Sequence, residues 1–196
     1  MSFLSRRKEK KYLKSIPRRM STSVSDNQAY PHVCLEASYD YRKFSNFRRD
    51  PIYNEILEHV TEELGHEYLK HFSDNKEIMA KIEAFKENDQ WGNPYTYDYP
   101  GVGKCSPSTL RYIKVLNDLR THFGELDSFD ICEIGVGYGG QCRVVNAWSK
   151  PATYRLVDIK PALLLAQRFL DNYVLNSVMS YKTMNELPKR EYDLVV

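Results

Sequence analysis

Apolar positions recur at helical spacing through the first half of the chain and at strand spacing through the second. Asp50 followed by Pro51 is a helix start signal, a capping carboxylate ahead of a proline at the first helical position. Ile52, Ile56, Val60 and Leu64 then fall four residues apart, and Gly65 reads as the stop. A second helix is predicted from Asp74, where Glu77 completes a capping box and Ile78, Ile82 and Phe85 form the apolar stripe. Residues 88–106, NDQWGNPYTYDYPGVGKCS, break the periodicity and read as a long loop holding Trp91, Tyr95, Tyr97 and Tyr99. Loops of that length in compact proteins are either functional or disordered, and the aromatic density argues against disorder. A third helix is predicted from a Ser106 cap and Pro107 through Leu110, Ile113, Leu116 and Phe123 to Gly124.

Beyond Gly124 the period shortens. Residues 129–134 (FDICEI) read as a strand, 135–140 as a glycine-rich turn, and roughly 140–149 as a helix. Residues 154–158 (YRLVD) form a second strand, and Pro161 opens a helix through PALLLAQRFLDNYVL. A third strand lies near 178–182, and residues 192–196 (YDLVV) are a fourth, inside which the sequence stops. Strands alternating with helices over short connections imply a parallel sheet. The expected architecture is therefore α/β: a Rossmann-like sheet, with its first four strands present, preceded by an N-terminal helical region. Three segments are expected: an arm over 1–30, a helical region over 31–124 that includes the aromatic loop, and a cofactor-binding part over 125–196.

Charge adds one feature. The net charge is +2, yet residues 1–20 carry eight Lys or Arg and one acid, so the rest of the chain is −5. A mildly acidic body offers no nucleic-acid-binding face. The basic arm reads as a solvated, disordered terminus, with contact to an anionic surface as the competing reading. No apolar run is long enough to span a bilayer, and the arm lacks the apolar centre of a secretory signal. Cys34, Cys105, Cys132 and Cys142 are widely spaced, with no C-x-x-C pair to suggest zinc or a redox centre. Free thiols in a reducing cytoplasm are the expectation, and no metal site is expected.

The chemistry concentrates in Glu133-Ile134-Gly135-Val136-Gly137-Tyr138-Gly139-Gly140, which follows a strand and opens a helix. Glycines there allow a tight turn and close approach of a ligand to bare backbone. Gly135, Gly137 and Gly140 also fit the dinucleotide fingerprint, and Asp158 ends the second strand where a ribose-binding acid belongs. Glu133 discriminates between the ligand classes. A carboxylate two residues ahead of the first glycine repels a pyrophosphate. It suits S-adenosylmethionine, which carries a sulfonium and an ammonium and no phosphate. Asp158 otherwise reads as a cap for the next helix, and Glu133 as a buried acid held by backbone N–H groups. Tyr138 reads as a cation–π partner of the sulfonium or as a solvent-facing loop residue.

These residues carry a family resemblance. EIGVGYGGQC, YRLVDI and YDLVV resemble the first, second and fourth conserved segments of class I S-adenosylmethionine-dependent methyltransferases. WGNPYTYDYPGVGKCSPSTLRY, then FGELD, then EIGVGYGGQC resemble the sugar O-methyltransferase family in particular, and the likeness covers roughly residues 88–196. The resemblance implies cofactor binding at Glu133, Gly135, Gly137, Gly139 and Asp158, with Val136, Tyr138 and Ile159 in the same candidate set. It also implies a seven-stranded sheet, of which four strands are visible. The expectation is thus a C-terminally incomplete enzyme, whose terminal strand exposes an apolar edge open to self-association or a completing partner.

The implied reaction is O-methylation of a saccharide or glycan hydroxyl. A weakly acidic hydroxyl calls for a base or a metal. The candidates His59, His66, His71 and His122 sit among charged residues in helical stretches and read as surface histidines, so no catalytic residue is assigned. The aromatic loop is expected either to stack on the acceptor as a lid or to seal the helical region onto the sheet. Two further readings stand beside the enzyme: a non-catalytic remnant or partner-binding fragment, and a nicotinamide-dependent oxidoreductase.

Overall fold

The computed structural model describes residues 29–196. The basic arm expected over 1–30 thus falls almost wholly outside the described residues, and Ala29 and Tyr30 begin a helix instead. The helical region comprises α1 (Ala29–Tyr39), α2 (Tyr41–Phe44), a short helical turn α3 (Pro51–Tyr53), α4 (Glu62–Lys70), α5 (Lys76–Ala80) and α6 (Ile82–Lys86). A two-stranded antiparallel hairpin follows, β1 (Tyr97–Tyr99) with β2 (Gly103–Cys105), and then the long α7 (Pro107–Phe123). The remainder alternates: β3 (Asp130–Ile134), α8 (Gly140–Trp148), β4 (Thr153–Val157), α9 (Lys160–Leu170), β5 (Val178–Lys182) and β6 (Leu194–Val195).

The second sheet is parallel with strand order β5-β4-β3-β6. The chain starts at β3, steps outward through β4 to β5, and returns to lay β6 on the other side of β3. That reversal makes the β3–β6 boundary a topological switch point, beside which open α/β sheets bind ligands at their carboxyl ends. The order is compatible with a Rossmann-like sheet. In register, Ile131 pairs with Tyr154 on one side and with Leu194 on the other, and all three are buried. β6 lies at one edge, with Leu194 buried and Val195 56% exposed.

α9 buries Ala162, Leu163, Leu165, Ala166, Phe169 and Leu170, a wide apolar face. The width has a cause: α9 packs against β5 and also against α1, so two flanks must be dry. Arg168 reaches from α9 to the Ala37 carbonyl of α1, with its guanidinium over the Phe44 ring.

The helix expected over 52–64 is broken. Asp50 caps as predicted, accepting from the Ile52 and Tyr53 N–H groups, but a π-helical turn (Asn54–Glu58) follows and the helix ends at His59. Thr61 then caps a separate helix, α4, and Gly65 lies inside it rather than ending it. The glycine is needed for approach: a Cβ there would stand 2.1 Å from the Tyr99 hydroxyl. Asn75, not Asp74, caps α5, its side chain accepting from Glu77 and Ile78. The stretch 88–106 is not all loop. Tyr99-Pro100-Gly101-Val102 closes the β1–β2 hairpin, with proline fixing the second position, Gly101 at φ +73° and Val102 N–H donating to the Tyr99 carbonyl. α9 stops at Leu170, five residues short of the expected end, where the Asn172 side chain takes up the Arg168 and Phe169 carbonyls.

Candidate functional site

β3 delivers the chain to its carboxyl end at Ile134, and the turn that follows is left-handed at three glycines: Gly135 (φ +79°), Gly137 (φ +55°) and Gly139 (φ +85°). L-residues with a Cβ resist that conformation, so the bend requires them. The N–H groups of these three glycines are engaged within the protein. Gly135 donates to the Val157 carbonyl (2.8 Å), Gly137 to Asp158 Oδ2 (3.0 Å) and Gly139 to the Val136 carbonyl (2.8 Å).

The four glycines differ in what covers them. A Cβ on Gly137 would meet Leu57 Cδ1 at 2.8 Å, one on Gly139 Leu170 Cδ1 at 3.0 Å, and one on Gly140 the Tyr112 ring at 2.5 Å. Among the described residues nothing lies within 4 Å of the same point on Gly135. Ile134 and Ile159, at the ends of β3 and β4, are 47% and 41% exposed. Among the four glycines, open backbone is therefore confined to Gly135, two residues after Glu133.

Glu133 is 6% exposed, and the buried Tyr154 hydroxyl donates to its Oε2 at 2.6 Å. Burial pushes its carboxyl up to about 7, against the Tyr154 hydrogen bond and with the help of the Asp158 charge. A phenol, not the backbone N–H groups of the competing sequence reading, satisfies this acid. Asp158 is half-buried. Its Oδ2 accepts from Gly137 and its Oδ1 from the Ile159 N–H at 2.6 Å, so it braces the glycine turn, while the N-cap of α9 is Ile159. Burial raises its pKa, and the Gly137, Ile159 and Val136 N–H groups oppose the rise. Three such N–H partners still leave acceptor capacity on a carboxylate with about four lone-pair sites.

Tyr138 departs from both sequence readings. Its ring is fully buried beneath the turn, against Phe169 (4.8 Å), Phe47 (5.5 Å) and Tyr112 (6.1 Å), and the cation over it is Arg48, at 4.9 Å. Asn88 donates to its hydroxyl at 3.1 Å. The ring faces neither solvent nor the crevice. Val136, too, is buried, so these two residues shape the turn through their backbone.

Arg48 and its partners carry no sequence signal beyond one arginine among several. The guanidinium is fully buried, paired with Glu58 (3.0 Å) and Asp89 (3.0 Å), and donates to the Ser106 and Ser108 hydroxyls at 2.9 and 2.7 Å. Burial alone would lower its pKa, but Glu58, Tyr138 and Asp89 raise it well above the ordinary value. Ser108 also donates to Glu58 Oε2 at 2.8 Å. This network ties the segment around residues 48–58 to the start of α7. That anchoring holds Leu57 and Tyr53 over the glycine turn, and Tyr30 of α1 stands beside Tyr53 with ring centroids 5.8 Å apart.

The aromatic loop divides its labour. Trp91 packs on Phe44 (5.5 Å) and Tyr99 on Gly65 and His66, sealing the helical region. Tyr95 stays 51% exposed beneath the Arg49 guanidinium. With Tyr97, Glu58, His59 and Ser108 it lines a cleft of about 370 Å³. His59, His71 and His122 are exposed, and His66 packs edge-on against Tyr99 at 4.8 Å. Among the described residues no group of three or more His, Cys, Asp or Glu could hold a metal, the four cysteines are free and buried, and no helix is long and apolar enough to cross a membrane.

No family model matches the chain, and neither a curated protein nor a solved structure is similar to it.

Proposed function

We propose that this chain binds S-adenosylmethionine at the carboxyl ends of β3 and β4 and serves in methyl transfer to a saccharide hydroxyl. One observation carries the reading: Gly135, the one glycine of the turn left uncovered by the described residues, stands two residues after a buried acid, while the N–H groups of Gly135, Gly137 and Gly139 already have acceptors. A pyrophosphate needs free N–H groups at such a turn and tolerates no carboxylate beside it. Gly137, Gly139 and Gly140 carry the Leu57, Leu170 and Tyr112 side chains close above them. A ligand carrying positive charge and no phosphate has the opposite needs, and the residues fit it. Glu133 takes the ammonium end, the open lone pairs of Asp158 take ribose hydroxyls, and the exposed Ile159 offers an apolar face to the base.

S-adenosylmethionine supplies, when bound, an electrophilic methyl carbon for in-line displacement by a hydroxyl oxygen. The contribution of this chain is to bind and orient, which supplies several kcal/mol of a barrier of this kind. The saccharide acceptor rests on the sequence resemblance and on the cleft that sets Tyr95 and Tyr97 among polar groups. Four free, buried cysteines suit a reducing compartment such as the cytoplasm.

Titration calorimetry with S-adenosylmethionine and with NAD is the test. The expected result is binding of the former alone. Asp158→Ala should weaken it by about tenfold or more, since a charged acceptor contributes about 1.5–3 kcal/mol. Binding of NAD, or unchanged affinity in Asp158→Ala and Glu133→Gln together, overturns the assignment.

A further inference from the structure

The helical region supplies an element that the sheet lacks. Tyr53 is fully buried, and its hydroxyl has no hydrogen-bond partner among the described residues. Phe47 edge-on at 5.0 Å and Tyr30 at 5.8 Å lock its ring, so the hydroxyl cannot swing toward water. It stands 3.7 Å from the point where a Cβ on Gly137 would be, over the same turn that Asp158 braces. A buried, unpaired phenol is costly and uncommon in folded proteins, and it calls for a partner.

The chemistry of the turn selects that partner. Glu133 and Asp158 are both acceptors, and neither suits an anionic group. The backbone donors of Gly135, Gly137 and Gly139 are engaged. An amino-acid ligand brings one carboxylate, and the Tyr53 hydroxyl is a buried donor beside the turn with no acceptor of its own among the described residues. We infer that Tyr53 binds the carboxylate of the methionine end of S-adenosylmethionine, so that the helical region completes the cofactor site. This inference rests on the function proposed above, and it adds a residue from outside the sheet together with the part of the ligand it reads.

Tyr53→Phe keeps the ring and its packing and removes only the hydroxyl. Calorimetry is run on the full chain and on this variant, with S-adenosylmethionine and with its decarboxylated analogue. The expected result is a loss of about tenfold or more in affinity for S-adenosylmethionine and equal affinity of both proteins for the analogue. Without ligand, the variant should melt no lower than the parent, because the hydroxyl it loses was unpaired. Equal affinity of the two proteins for S-adenosylmethionine refutes the inference and leaves the proposed function standing, as does the same fractional loss for both ligands. Failure of the parent chain to bind S-adenosylmethionine at all refutes both.

Discussion

Replacing Glu133 with Gln separates the function of this acid from its effect on stability. Gln keeps the shape and still accepts from Tyr154, so the variant loses the charge and little else. The folded protein holds the Glu133 carboxyl at about 7, where an ordinary glutamate lies at 4.5. Below pH 4.5 the group is protonated in the folded and unfolded chain alike and contributes no difference. Between pH 4.5 and 7 the unfolded chain has released the proton and the folded chain retains it, so stability falls as pH rises. Above 7 the full loss is in place: at 1.36 kcal/mol per pH unit, about 3 kcal/mol. Glu133→Gln should therefore match the parent near pH 4.5 and exceed it by about 3 kcal/mol at pH 8, while losing affinity for S-adenosylmethionine. Urea unfolding of both proteins across that range reads the difference directly, as a midpoint shift at constant slope. A difference that does not change with pH would show that Glu133 is not a strained buried acid, and the electrostatic case for a cationic ligand would fall with it.

Three further outcomes follow from the same geometry. A cation beside Glu133 favours the ionised form, so affinity for S-adenosylmethionine should rise by nearly tenfold per unit from about pH 5.5 to 7, with one proton released; calorimetry in buffers of different ionisation enthalpy counts that proton, and none released contradicts the placement of the ligand. Arg48→Met leaves Glu58 and Asp89 without their buried cation and should destabilise the fold by about 3–5 kcal/mol in chemical unfolding, with a loss under about 1 kcal/mol excluding a structural role for the network. Gly137→Ala forces an L-residue to φ +55° and a methyl to 2.8 Å from Leu57 Cδ1. Its melting temperature should drop, and Leu57→Ala in the same chain should restore the steric part but not the dihedral part, which is about 1–2 kcal/mol.

The sheet was legible because its strands and helices carry short-range signals that packing does not override. Ser106 and Pro107 open α7 and Gly124 closes it where the sequence places them, and β5 spans residues 178–182 as read. The turn after β3 was legible for the same reason, since glycines at left-handed φ leave a mark in the sequence. The helical region was not. Its stripe at Ile52, Ile56, Val60 and Leu64 has helical spacing, yet Tyr99 needs the space at Gly65 and Thr61 offers a better cap, so the helix splits. The Pro100-Gly101 pair was a hairpin signal inside what reads as loop. Nothing local marks Tyr53 or Arg48 as belonging to the site. Their role comes from contacts across 84 and 90 residues, to Gly137 and to Tyr138.

Leu57, close above Gly137, makes the glycine turn a seam between two stretches of chain far apart in sequence. A ligand bound as proposed touches both stretches and must fasten one to the other. Protease would then cut the segment around residues 48–58 more slowly in the presence of ligand than in its absence, although most of the ligand's contacts lie with the last third of the chain.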